Sequence, residues 1–205
     1  GINHQHVSET VAKQWQQQGK DPSQLRLISA HLGAGASLAA IRGGSCIDTT
    51  MGFTPLEGLV MATRSGSVDP GLLLALMRKG YSADQIASIL QKQSGLKGLS
   101  DLSGNMQNIR AEALAGHDGA ALALAVFKHR LVQLIGSMAA SLRGVDVLAL
   151  TGGIGEHDAA LQQELRVELE WLTDLEITVI RADEEGMIAR MCRRSRSQFK
   201  STAVG

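Results

Sequence analysis

Hydrophobic and polar positions follow two different periods along the chain, and the changes of period divide it into elements. Residues 6 to 18 space their apolar side chains as a helix that stops near Gly19. "LRLISAHL", 25 to 32, is instead a short apolar run between turn formers, which marks a buried strand. "ASLAAIRGG" and "SCIDTT" follow as two further strands separated by the Gly43-Gly44 turn, giving a meander of strands.

A loop rich in Gly, Thr and Ser covers 50 to 68. "DPGLLLALMRKG" then sets Asp69 as N-cap, Pro70 at the first helical position and Gly80 as the stop. Ser82 caps a second helix running to Lys92, and 93 to 105 reads as Gly- and Ser-rich loop. From Gly119 to Arg143 the apolar residues at 124, 127, 131, 134, 135, 138 and 142 keep the spacing of one long helix with a buried face. Gly136 and Ala140 form a notch on it that would let another helix approach closely. "VDVLALTGG", 145 to 153, is a continuous apolar strand running into glycines, "GEHDAALQQELRVELEWL" is the helix after it, "EITVIRA" is another strand, and Asp183 caps a last helix. This order predicts an α/β fold, a sheet with helices packed on it.

With 205 residues, of which 44% are hydrophobic, the chain can bury a core as one globular unit or two small ones. Its 20 basic residues are balanced by 20 acidic ones, so no global field draws it to nucleic acid or to a membrane, and any polyanion site must be local. No apolar stretch is expected to reach bilayer-spanning length. Cys46 and Cys192 lie far apart, without metal-ligand spacing, and are expected to be reduced and packed. "GINHQHVSET" has neither a basic start nor an apolar signal core, which makes the cytoplasm the expected compartment.

Chemistry concentrates at the glycines. "HLGAGAS", 31 to 37, places Gly33 and Gly35 where one strand turns into the next, so backbone N–H groups could converge on an anion without a Cβ in the way; a plain hairpin turn would use the same residues. "LTGGIGEHD", 150 to 158, is a second strand that ends in glycines and opens a helix, where backbone donors and the helix dipole favour an anion or a polar nucleotide edge. Neither is a P-loop or a dinucleotide fingerprint. In "TTMGFTPLEGLVMATRSGSVDP", 49 to 70, Arg64 sits between Thr63 and a turn, which would hold its guanidinium near the glycines with the fork free for carboxylate or phosphate. A solvated surface arginine would fit the same spacing, and His4 and His31 could equally be hydrogen-bonded structural residues.

Taken together, "HLGAGAS", "MGFTPLEG", "TRSGSVDP", "SGLKGLS", "TGGIGE" and "DEEGMIAR" resemble, in order and approximate spacing, the acetate and propionate kinases. The opening "GINH" looks like the end of that family's His-Gly-Thr-Ser-His segment, with His4 on its last histidine. The resemblance implies a ribonuclease H-like α/β fold of the actin, hexokinase and Hsp70 chaperone type, a mixed sheet with helices packed on it. It further implies that residues 1 to 190 correspond to the second of two related domains, followed by a basic tail at 191 to 205 expected to be exposed or docked on the first domain. That first domain would bring an Asn, an Arg, a His and an Asp to a cleft between the two.

Carried over by that resemblance, His31 approaches the nucleotide phosphates, Gly33 and Gly35 provide the backbone cradle, and Arg64 and His4 are the catalytic side chains lining the cleft. Gly153, Ile154 and Gly155 flank the adenosine, with Asn105 and Gln107 beside the base. Glu184 positions Mg²⁺ or Mn²⁺, supported by Glu185. The implied reaction is in-line transfer of the γ-phosphoryl group of ATP onto acetate or propionate to give ADP and an acyl phosphate, within a homodimer to which the long helix 119 to 143 contributes. Three departures stand out. Ala34 replaces the family's usual Asn, Asn105 and Gln107 replace its Asp and Arg, and the segment between "TGGIGE" and "DEEG" is shorter than usual. The alternative from a different class is a catalytically inactive nucleotide-binding and dimerisation module; a sugar kinase or ATPase of the same superfamily fits less well, because "MGFTPLEG" and "TRSG" belong to the carboxylate kinases.

Overall fold

The computed structural model describes the backbone of residues 1–202 and side chains through Arg193. In chain order its elements are α1 (Ile2–Gln17), β1 (Arg26–Leu32), β2 (Ala36–Arg42), β3 (Ser45–Thr49), α2 (Pro70–Arg78), α3 (Ala83–Lys92), α4 (Gly95–Ser100), α5 (Met106–Leu114), α6 (Asp118–Leu142), β4 (Val147–Thr151), α7 (Gly152–His157), α8 (Ala159–Glu168), β5 (Glu176–Val179) and α9 (Glu184–Thr202). The strands form one sheet in the order β3-β2-β1-β4-β5. β1 pairs antiparallel with β2 and parallel with β4, so the sheet is mixed, as expected for an α/β fold of this kind.

Strand alternation decides what each face of the sheet carries. Ile28, Ala30 and Leu32 of β1, Leu38 and Ala40 of β2, and Leu148 and Leu150 of β4 all join the larger core, whose other wall is α6 through Phe127, Leu131, Ile135 and Leu142. Leu27, Ala39, Ile41, Val147 and Ala149 face the opposite way and meet Val7 and Val11 of α1 in a second, smaller core. The remaining residues of that second face are polar: Ser29 and Ser37 are buried there, His31 is half-buried, and Asn3 and His4 lie above them on α1.

Several sequence expectations shift. α1 begins at Ile2 rather than residue 6, because its first turn is seated on the polar part of the sheet. The 93 to 105 loop contains α4, a helix that local propensity does not signal. The N–H groups of Leu96 and Lys97 donate to the carbonyls of Met61 and Ala62, and a Cβ on Gly95, at φ +64, would sit 2.2 Å from the Met61 oxygen. Tertiary backbone bonding thus selects this helix and its glycine. The helix expected after β4 is broken in two at Asp158, whose carboxylate caps α8 by accepting the Leu161 N–H. The last helix continues through Thr202, so residues 191 to 202 of the basic tail are helical; residues 203 to 205 lie outside the described residues.

Two expectations about exposure are corrected. Cys46 and Cys192 are exposed, the first on the edge strand β3 and the second on α9. α6, at 25 residues, is long and apolar enough to cross a membrane by length and composition. Its packing gives that apolarity another cause: its face from Ala120 to Leu142 closes the larger core under β1 and β2. The Gly136 notch receives the indole of Trp171, 3.8 Å from where a Cβ would lie, rather than another helix, and Ala140 is exposed. α2 behaves in the opposite way to α6, with no buried residue although Leu72, Leu74 and Met77 crowd it.

Among the described residues Phe127 is the largest fully buried side chain, and it fills the centre of the α6 wall. Replacing it with Ala is expected to lower unfolding free energy by about 3–5 kcal/mol, whereas Leu74→Ala on the exposed α2 changes it by less than about 0.5 kcal/mol; chemical denaturation compares the two.

Candidate functional site

The site begins where β1 and β4 end side by side. Their parallel register puts His31 opposite Thr151, and each strand runs directly into glycines, Gly33 to Gly35 after β1 and Gly152 and Gly153 after β4. The first turn closes on itself through Gly33 N–H donating to the Gly35 carbonyl at 3.0 Å. Between these turns and the start of α5 lies a cavity of about 440 Å³. Gly33 and Ala34 form one wall, Asn105 and Gln107 a second, and Gly153 and Ile154 a third. Residues from three distant parts of the chain meet there because the sheet order brings β1 beside β4.

The cavity also has walls that the motifs do not announce. Arg110 lines it from α5, donating from Nε to Asp158 at 2.7 Å and from Nη1 to Glu164 at 3.1 Å. This pair of ion contacts ties α5 to the α7–α8 junction and so sets the width of the pocket. Its signal in the sequence was faint, since no helix was expected at 106 to 114. Asn105 is the N-cap of α5, its side-chain carbonyl accepting the Asn108 N–H at 3.1 Å, which leaves its amide NH₂ available to a ligand. Gly155 does not line the cavity; it is buried, and a Cβ there would press on the Leu150 backbone at 3.3 Å.

Arg64 reaches the site along a strap. Ala62 N–H donates to the Ala34 carbonyl, Met61 N–H to the Arg64 carbonyl, and Ser65 N–H to the Leu90 carbonyl, fixing the segment against both the glycine turn and α3. Its Nη1 donates to the Pro55 carbonyl at 2.6 Å, while Nη2 lies 2.7 Å from where a Cβ on Gly35 would be. The guanidinium therefore rests on the glycine turn, with part of its donor fork already used.

The two histidines separate in role. His31 is half-buried, accepts or shares a hydrogen bond at Nδ1 with the Asn3 amide nitrogen at 2.8 Å, and turns Nε2 toward Gly33. His4 does not line the cavity. It lines a separate cavity of about 580 Å³ between α1 and the β2–β3 edge, with Nδ1 bonded to Ser29 Oγ at 2.8 Å and Nε2 to Ser37 Oγ at 2.9 Å. Alternation of β1 and β2 aims Ser29 and Ser37 at His4, and its expected place in a cleft with a first domain stays a proposal.

Glu184 is exposed at the start of α9, away from the cavity lining, as is Glu185. Asp183 caps that helix through the Gly186 N–H. Among the described residues no group of three or more His, Cys, Asp or Glu side chains could hold a metal ion. Glu156, unflagged by sequence reasoning, is the link between this segment and the site: one carboxylate oxygen accepts both the Gly152 and the Ala182 N–H at 2.9 Å.

Comparison with known proteins places the chain. The sequence profile of the acetokinase family matches residues 1–199. Acetate kinase of Microcystis aeruginosa is 50% identical over 165 residues, which are 80% of this chain and 40% of that protein. Among solved structures, the acetate kinase of Porphyromonas gingivalis superposes with a TM-score of 0.87 at 34% identity, covering 93% of this chain and 53% of that one. A propionate kinase of Francisella tularensis superposes with a TM-score of 0.84 at 36% identity, covering 92% and 53%. The chain thus spans less than half the length of the curated relative it matches, and about half of each solved structure.

Burial, reinforced by the positive N-terminus and by His31, holds the His4 imidazole at about 4 instead of its ordinary 6.5. Because the folded protein disfavours the charged ring, the unfolded chain takes up the proton first as pH falls. Stability should therefore drop by about 3 kcal/mol between pH 6.5 and 4 from this group, and not further below that. Denaturant titrations across that range should show this loss, and His4→Asn should reduce it; equal pH slopes in both proteins would show the burial to be without consequence.

Proposed function

The chain belongs to the acetokinase family, and on that premise we propose that it is the C-terminal domain of a carboxylate kinase that moves the γ-phosphoryl group of ATP reversibly onto acetate or propionate. The observation that carries this reading is the three-walled cavity between the glycine turns of β1 and β4 and the start of α5. Its size suits a nucleoside, and the glycine turns at the ends of β1 and β4 beside it suit the phosphates that follow.

The roles follow from position. Gly153, Ile154, Asn105 and Gln107 hold the adenosine, and Arg110 keeps their helices at the right separation. The uncharged Asn105 and Gln107 leave the base to be held by shape and amide hydrogen bonds. The Gly33–Gly35 turn, closed by the Gly33 N–H, presents the Gly35 N–H to the phosphates, His31 faces the same turn, and Arg64 neutralises charge on the transferring phosphoryl group or the acyl carboxylate. Transfer of this kind asks mainly for positioning and charge stabilisation. The residues described here do not form a metal cage of their own. Mg²⁺ or Mn²⁺ fits only as an ion arriving with the nucleotide phosphates, with Glu184 contributing one carboxylate, and it would supply charge neutralisation.

Association into a homodimer belongs to the same proposal, but its surface moves. The notch on α6 is occupied by Trp171, whereas α2 presents Leu72, Leu74 and Met77 to solvent with no residue buried. An apolar helix left uncovered is the better candidate for a two-fold contact.

The test is binding and turnover measured separately. The 205-residue chain is expected to bind ADP weakly by calorimetry and to form no acyl hydroxamate from acetate or propionate with ATP; acetate-dependent transfer by this chain alone would sink the division of labour between two domains. In a form that includes the first domain, Arg64→Ala is expected to lower acyl phosphate formation about a hundredfold or more while ADP affinity changes little. Failure of that form to turn over either carboxylate would favour an inactive nucleotide-binding module. Sedimentation of Leu74→Asp is expected to show monomer where the parent shows dimer.

A further inference from the structure

Asn3 is 4% exposed, and its Oδ1 is the one buried side-chain polar atom without a hydrogen-bond partner among the described residues. Its Nδ2 is fully engaged, 2.8 Å from His31 Nδ1 and 3.2 Å from Thr151 Oγ1. The two orientations of this amide are unequal. As placed, both N–H donors are used and one carbonyl goes unfilled. Turned over, the NH₂ would be stranded where the carbonyl now sits, leaving two donors unfilled, and buried donors are orphaned more rarely than carbonyls. The surroundings therefore hold the NH₂ toward His31.

An NH₂ group can only donate, so the ring nitrogen facing it must accept. A neutral imidazole accepting at Nδ1 carries its proton on Nε2. That nitrogen is the one turned toward the glycine cradle, 3.8 Å from where a Cβ on Gly33 would be. The other histidine nearby does not compete: the His4 ring stands edge-on to His31 at 6.5 Å, and its two nitrogens meet hydroxyls that donate or accept equally well. Thr151 is held beside His31 by the β1–β4 register and so anchors the amide's second N–H.

We propose that Asn3 is a positioning residue that holds His31 in the Nε2–H tautomer, so that this strand end presents a side-chain N–H donor, beside the Gly33–Gly35 turn, to an anionic phosphate. The inference rests on the kinase reading only for the identity of that anion.

The experiment is ¹⁵N NMR of the histidine rings in the ligand-free chain, at a pH where His31 is neutral. The parent is expected to show the Nε2–H form in excess by about tenfold, the worth of one net hydrogen bond. Asn3→Asp replaces the donor with an acceptor and should invert that ratio. Thr151→Val leaves the amide free to rotate and should bring the ratio toward one; it keeps the test open if Asn3→Asp does not fold. ADP added to the parent should shift the Nε2–H resonance and leave Nδ1 unprotonated. A parent ring protonated at Nδ1, a ratio unmoved by the variants that fold, or ADP binding that transfers the proton to Nδ1 would each overturn the proposal. ADP failing to bind while the tautomers respond as expected would count against the kinase reading and leave the role of Asn3 standing.

Discussion

β1 is hydrogen-bonded along both edges, antiparallel to β2 and parallel to β4, and the site depends on that double pairing. A strand held on both sides cannot slip its register by one residue without turning every side chain to the opposite face. Ile28, Ala30 and Leu32 are committed to the α6 core, so Ser29 and His31 are committed to the α1 face. The same pairing ends β1 and β4 together and sets their glycine turns next to each other. Apolar burial on one face thereby determines where the polar groups of the other must stand.

Polar burial on the α1 face is tolerated because it is almost completely paired. His4 is satisfied by two serines, His31 and Thr151 by Asn3, and the remaining unfilled acceptor is the Asn3 carbonyl. Such a network is costly to disturb, since a buried polar group that loses its partner keeps its desolvation penalty. The depressed proton affinity of His4 reflects that cost. It also explains why the two histidines, read alike in the sequence, differ in the fold: one is enclosed by hydroxyls, the other keeps a nitrogen facing the turn.

The rest of the pocket is built from contacts between loops and helix ends. The strap carrying Arg64 is held by backbone bonds to the Ala34 and Leu90 carbonyls, and α4 is bonded to that strap in turn. Arg110 spans from α5 to Asp158 and Glu164, and Glu156 joins the β4 turn to the segment before α9. These are few and specific, so the pocket's geometry is set by individual side chains to a degree that the sheet is not.

By itself the sequence determined the strands, the long core helix, the capped helices at Asp69, Ser82 and Asp183, and the glycine motifs that mark the family. All of these rest on local periodicity, capping chemistry or a short contiguous pattern. It could not show α4, because the bonds that select it come from residues far along the chain, and the break at Asp158 joins a local cap to the distant Arg110. Nor could it separate His4 from His31, give Gly155 a packing role, or find Arg110, Glu156 and Asn3. Only the tertiary structure decided those, for a physical reason: what a side chain does is set by which partners surround it, and here the partners of α1 lie on strands that only sheet pairing brings beneath it.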